Sequence, residues 1–202
     1  SAITKLTIPS KVTAIGENCF SSCSNLTQLN FATGITNINY GNGAFSCPNI
    51  TIVNLSNTMT NLPNLSNCTL LKNLIIPNNI QNVVGLPTTL TTLTIGEGVK
   101  TMSGQLPYLT TLNYNAINAD DVYSSDASNG YIFTKIGSST ASGTTINIGS
   151  KVQKIPNRLF YAEQENSNNY TTISFASNSV CKSIGEESFY NCNKLTSVNL
   201  PD

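Results

Sequence analysis

The sequence predicts a right-handed, β-rich solenoid of about nine coils, with one parallel sheet shared along its concave face. Three observations predict it. First, apolar doublets of the form L-x-L recur from end to end: Leu6/Ile8, Leu29/Phe31, Val53/Leu55, Leu74/Ile76, Leu93/Ile95, Leu112/Tyr114, Ile146/Ile148, Ile173/Phe175 and Val198/Leu200. Their spacings are 23, 24, 21, 19, 19, 34, 27 and 25 residues. Second, a V-x-x-I signature lies between most doublets. Third, one long pattern occurs twice, as Ile15-Gly16, Cys19-Phe20, Cys23, Leu26, Leu29, Phe31 and as Ile184-Gly185, Ser188-Phe189, Cys192, Leu195, Val198, Leu200. Self-similarity at such a period marks a repeat architecture.

Each doublet is too short to be more than one strand with one buried face. A single such strand cannot hide its apolar side, but stacking it on like neighbours does. The signature Val12/Ile15, Ile35/Ile38, Met59/Leu62, Ile80/Val83, Val99/Met102, Val152/Ile155, Cys181/Ile184 reads as the returning side of each coil, a short extended segment. Four coils then carry a small or apolar residue plus Phe: Cys19-Phe20, Ala44-Phe45, Leu159-Phe160 and Ser188-Phe189. These predict one helical or 3₁₀ turn with the Phe plugging the coil. The 19-residue coils from Leu74 to Leu112 lack the Phe and are expected to turn back more tightly. The long step holds an irregular insertion, Asn115–Gly143, with Asp120, Asp121 and Asp126 beside Asn129-Gly130; loops of this length are usually functional or mobile.

Composition excludes several classes. Of the 202 residues 39% are hydrophobic, enough for one substantial core, and only 10% are charged, against about 25% in ordinary soluble domains. Asn, Ser and Thr supply the polarity instead. The net charge is zero, so the basic surface that a phosphate backbone demands is missing, and nucleic acid is not an expected partner. No apolar run reaches the ~18 residues of a membrane span, so no membrane insertion is expected. There is no histidine, which removes the commonest general base. No G-x-S-x-G, P-loop or G-x-G-x-x-G motif is present. The chain reads as a non-enzyme, with no cofactor, metal or catalytic residue assigned. No basic-then-apolar leader opens the sequence, and both ends stop in mid-repeat without a polar capping coil. The expectation is a fragment of a longer chain, forming a single domain over 1–202.

The pattern C-x-x-L-x-x-[IVL]-x-[LI]-P-x-x-[VIL]-x-x-I-G-x-x-A-F resembles the BspA-like leucine-rich repeats. Cys23–Phe31, Cys47–Leu55, Cys68–Pro77 and Cys192–Pro201 match its first half, and Val12–Phe20 and Cys181–Phe189 its second. The pattern departs at Pro87 and Leu106, which stand where Cys is expected, and through Asn115–Gly143. The resemblance implies a leucine-rich-repeat solenoid on a secreted or cell-surface protein, serving adhesion and protein contacts. It implies no chemistry.

The cysteines Cys23, Cys47, Cys68 and Cys192 share one register. Disulfides are one reading of an even six in an exported protein; free thiols packing as small hydrophobes at each coil corner are favoured, because residues repeating in register answer to packing. Asp120, Asp121, Asp126 and Asn129 could offer oxygen ligands to calcium, but their spacing fits no calcium loop and turn chemistry explains them better. Glu186/Glu187 fall where a helical turn would begin, a favourable place for negative charge; Glu163/Glu165 need only a polar loop. The solvent face of the strands carries the remaining information. Alternation points Thr7, Asn30, Asn54, Ile75, Thr94, Asn113, Asn147, Ser174 and Asn199 outward, with Lys5, Gln28, Ile52, Asn73, Thr92, Thr111, Thr145, Thr172 and Ser197 in the row before them. Stacked about 4.8 Å apart, these form nearly uncharged rows whose first role is hydrogen bonding along the stack. Ile52 and Ile75 interrupt them as an apolar spot, and such spots mark contacts. Tyr123 and Tyr131 in the long loop are the second contact candidates. The chain is therefore expected to be a monomeric binding module for an extracellular protein, through the concave rows and the 115–143 loop. A passive spacer is the alternative, and a glycan partner ranks below both because Trp is absent.

Overall fold

The computed structural model describes residues 3–122, 133–162 and 168–200. Nine strands carry the doublets: Lys5–Ile8, Gln28–Phe31, Ile52–Asn54, Asn73–Ile75, Thr92–Ile95, Thr111–Tyr114, Thr144–Ile148, Tyr170–Phe175 and Ser197–Asn199. Neighbours pair in parallel with doublet on doublet. Leu6 faces Leu29, which faces Val53; Leu74, Leu93, Leu112, Ile146, Ile173 and Val198 continue in the same register. The register follows from the alternation, since a one-residue slip would turn every apolar side chain to water. The inward residues Leu29, Leu93, Ile146 and Ile173 are fully buried, and each such burial stabilises by roughly 1.5–3 kcal/mol.

In place of one continuous sheet there are two. Lys5–Ile8, Gln28–Phe31 and Ile52–Asn54 make a three-stranded sheet, and the six strands from Asn73–Ile75 onward make another. No ladder joins Ile52–Asn54 to Asn73–Ile75, although the stack continues past the break. The returning segments form four two-stranded parallel pairs on another side of the coil: Ala14–Ile15 with Asn39–Tyr40, Asn82–Val83 with Thr101–Met102, Gly104–Gln105 with Phe133–Thr134, and Lys154–Ile155 with Ser183–Ile184.

The expected helical or 3₁₀ turns around Phe20, Phe45, Phe160 and Phe189 do not form; the described residues contain no helix. The backbone is spent differently. Asn18, Phe20 and Ser22 donate their N–H groups to Asn42, Ala44 and Ser46 of the next coil, and Arg158, Phe160 and Ala162 donate to Glu186, Ser188 and Tyr190. Left-handed residues at Asn18 (φ 52°), Ser22 (62°), Arg158 (55°), Glu187 (53°) and Asn191 (58°) punctuate these turns, which no helix of L-residues tolerates. Glu187 therefore does not cap a helix. It forms an ion pair with Arg158, Nε to Oε2 2.7 Å. The Phe residues do plug the coil interior: Phe20 stacks on Phe45 (5.7 Å) and Phe160 on Phe189 (5.5 Å).

Within 115–143 the described residues continue the stack. The Asn115 and Ile117 N–H groups donate to Ile95 and Glu97, and Asp120 N–H to Lys100. Phe133 and Ile136 are buried in the core.

Candidate binding notch on the strand face

The outward rows are held by bonds running along the stack. Thr27, Thr51, Thr91, Thr110 and Thr196 stand just before their strands. Each donates its hydroxyl to the carbonyl one coil earlier, of Thr4, Thr27, Lys72, Thr91 and Thr171, over 2.9–3.3 Å. The next rows behave alike. Asn54 Nδ2 donates to Asn30 Oδ1 (2.8 Å), Asn147 Nδ2 to Asn113 Oδ1 (2.9 Å) and Asn113 Nδ2 to Thr94 Oγ1 (3.1 Å). Asn30 also donates to Leu6 O (3.2 Å) and accepts from Gln28 Nε2 (2.9 Å). Asn30, Thr94 and Asn113 thus stand in the expected row with their polar atoms engaged inside the protein.

Both side-chain ladders stop at one coil. Lys72 occupies the Thr position and has no hydroxyl to give Thr51 O; Ile75 occupies the Asn position and cannot donate to Asn54 Oδ1. That is also where the main-chain ladder is interrupted. The opening is a notch of about 440 Å³, and Ile52, Ile75, Asn54 and Asn73 line it together with Val53, Leu55, Asn57 and Pro77. Ile52 is 48% and Ile75 68% exposed. The structure thus brings together four of the sequence-derived contact residues, and no ionisable side chain lines the notch.

Tyr123 and Tyr131 lie outside the described residues, as do Asp126, Asn129, Glu163 and Glu165. Asp121 is committed locally: its carboxylate accepts from Asn157 N–H (2.9 Å) and Lys154 Nζ (3.0 Å), which holds it below the usual carboxylate pKa. The six thiols are free. Cys47, Cys68 and Cys192 point their Sγ atoms at the carbonyls of Phe20, Phe45 and Phe160, one coil back. Burial pushes the Cys68 and Cys192 thiols up to about 12, so they remain neutral.

Two features escaped sequence reasoning. The first is the Thr row one residue before each strand, which the strand alternation does not single out. Lys72 was its one visible exception and the signal that could have located the break. The other is a Tyr161–Tyr190 stack, centroids 5.2 Å apart and 9° from parallel, with Arg158 5.7 Å from the Tyr161 ring centre. The two tyrosines are 29 residues apart, and only coil stacking reveals the pair.

The sequence model of the BspA-type leucine-rich repeat region matches six copies in this chain, over residues 1–106 and 124–202. No curated protein matches it. Similar solved structures include a leucine-rich repeat protein from Eubacterium ventriosum (16% identity, TM-score 0.45, covering 98% of this chain and 73% of that one). A second is a leucine-rich repeat protein from Bacteroides ovatus (20%, TM-score 0.42, 96% and 60%). A third is a leucine-rich cell surface protein from Faecalibacterium prausnitzii (16%, TM-score 0.36, 98% and 79%).

Proposed function

Since this chain belongs to the BspA-type leucine-rich repeat family, we propose that it is a non-enzymatic binding module of a secreted or cell-surface protein. Its partner is an extracellular protein engaged through the strand face, with the notch at Ile52 and Ile75 as the anchor point. One observation carries this reading: two large apolar side chains stand exposed on an otherwise polar, internally bonded face, and both open onto the same uncharged cavity. Contact energy concentrates in such spots, while the surrounding polar rim supplies complementarity.

The test is binding of the chain to a panel of immobilised extracellular matrix and serum glycoproteins, before and after enzymatic deglycosylation. Ile52→Ala with Ile75→Ala is expected to weaken binding to a captured protein by about tenfold or more, each truncated contact costing on the order of 1 kcal/mol. Unchanged affinity in the double variant would remove the notch as anchor, and absence of binding across the panel favours the passive spacer. The Tyr161–Tyr190 stack supports a second reading. Tyr190 is half exposed, and a sugar ring is the kind of ligand such an aromatic face holds. Loss of binding on deglycosylation and in Tyr190→Ala, with the isoleucine variant unaffected, would favour that site.

A further inference from the structure

We infer that the notch recognises an amide. Its occupant is an uncharged, extended segment of the partner that places an Asn or Gln carboxamide against one edge of the break between the two sheets and an adjacent apolar side chain against Ile52 and Ile75. This rests on the binding reading above and specifies its chemistry.

In a parallel ladder each residue turns both its N–H and its C=O to one side, and its neighbour turns both to the other. Ile52 N–H donates to Thr27 O, so Ile52 faces the preceding coil and Val53 faces the break. Thr92 N–H donates to Lys72 O and Ile76 N–H to Thr94 O, so Lys72 and Ile76 face the following coil, and Asn73 and Ile75 face the break. The main-chain donors and acceptors of Val53, Asn73 and Ile75 therefore look toward one another with no ladder between them. Unmade main-chain bonds at a sheet edge are a standing demand for a partner.

The inward row is also opened here. Val53 and Leu55 are half-buried, whereas their equivalents Leu29, Phe31, Leu74, Ile76, Leu93 and Ile95 are buried. Among the other doublet residues, Leu6 and Phe175 are half-buried and Val198 and Leu200 exposed, all in the first coil or the last two; the rest are buried. An occupant thus meets apolar surface and unpaired amides together.

Size decides what enters. Cα atoms of the two strands approach within 8 Å of one another, whereas an inserted strand needs about 9.6 Å between its two neighbours, twice the ~4.8 Å spacing. A third strand does not fit that gap, and an amide bridging both edges would need the same width. A single carboxamide entering from the solvent face can instead pair with the N–H and C=O of one edge residue, since it carries both a donor and an acceptor. The chain already uses this device. On the returning side of the same coil, the Asn61 carboxamide accepts from Ile38 N–H (3.2 Å) and donates to Ile38 O (2.6 Å), standing in for a strand neighbour. With no ionisable group lining the notch, a carboxylate or ammonium would be desolvated without compensation. The occupant is neutral.

The experiment is amide hydrogen exchange, read by NMR on the whole chain, with three acetylated and amidated pentapeptides of sequence Thr-Val-X-Val-Thr in which X is Asn, Asp or Leu. In the free chain the N–H groups of Val53, Asn73 and Ile75 are expected to exchange at least about 100-fold faster than that of Thr94, which sits inside the six-stranded ladder. The Asn peptide should slow at least one of them by about tenfold or more, and the Asp and Leu peptides should not. Slow exchange in the free chain, or the same response to all three peptides, or to none, overturns the inference. A Lys72→Thr, Ile75→Asn double variant restores a hydroxyl and a carboxamide to the two interrupted rows. It is expected to remain folded, to protect Val53 and residue 73 on its own, and to lose the peptide response. An undiminished response in that variant is a second route to rejection. If the Ile52/Ile75 double alanine variant loses its protein partner while the Asn peptide has no effect, amide recognition falls and the binding reading stands. If partner binding ignores both isoleucines, both fall.

Discussion

The hydroxyls of Tyr40, Tyr114 and Tyr170 are buried with no hydrogen-bond partner among the described residues. Tyr114 and Tyr170 flank Phe160 edge-on, each ring centre 5.8 Å away, so both rings are placed by aromatic packing rather than by the oxygen. Desolvation raises all three phenol pKa values, which keeps them neutral throughout the ordinary pH range. A buried hydroxyl without a partner costs about 1–3 kcal/mol. Tyr170→Phe keeps the ring and removes the oxygen, so it is expected to raise stability by about 1 kcal/mol in urea unfolding. A loss of stability would show that the hydroxyl has a partner. The cysteines obey the same logic from the other side: a thiol is small, weakly polar and content with one carbonyl, which suits the buried corner that Cys47 and Cys68 fill.

At the scale of the strand, stability comes in matched layers. A main-chain bond, a Thr hydroxyl and an Asn carboxamide each repeat from coil to coil, and each of these bonds contributes about 1 kcal/mol net. Where Lys72 and Ile75 withdraw two of the layers, the third is missing as well. If the side chains decide this, Lys72→Thr alone is expected to stabilise the chain by about 0.5–1.5 kcal/mol and to slow exchange at Asn73. A neutral or destabilising result would place the cause in the shorter coil between Val53 and Leu74, 21 residues against 24 before it. Much of this was readable in advance. The alternation alone placed Asn30, Asn54, Ile75, Thr94 and Asn113 in one row, because period two leaves no choice of face. The helical turns around the Phe residues were misread because a small residue next to Phe is compatible with either conformation. Cross-coil bonds from Asn18, Phe20 and Ser22 alternate with bonds inside the turn from Cys19 and Ser21, so no continuous helical run forms, and the cross-coil partners lie 24 positions away.

For the whole molecule, low charge governs how it can bind. Its 202 residues carry ten basic and ten acidic groups, and the three ion pairs among the described residues join Lys151 to Glu97, Lys154 to Asp121 and Arg158 to Glu187, away from the notch. Screening acts on exposed charges beyond about 8–10 Å, so there is little at the notch for salt to weaken. Partner affinity is expected to change by less than about twofold between 0.05 and 0.3 M salt. A fall of tenfold would relocate the contact to the charged surface near Lys154 and Arg158. The break also divides the stack unequally, three strands before it and six after, so a notch occupant sits where the two parts meet.

By itself the sequence determined the coil, its register and the residues that face water, because each follows from local periodicity and from the need of every apolar doublet to find a like neighbour. It also singled out Ile52 and Ile75 as foreign to their rows. Only the tertiary structure decided that the ladder is interrupted between those two residues, that the neighbouring amides are already spent on one another, and that the turns are not helices. These depend on which groups meet across a gap of twenty or more residues. There, a hydrogen bond either closes or stays open according to the partner that stacking supplies.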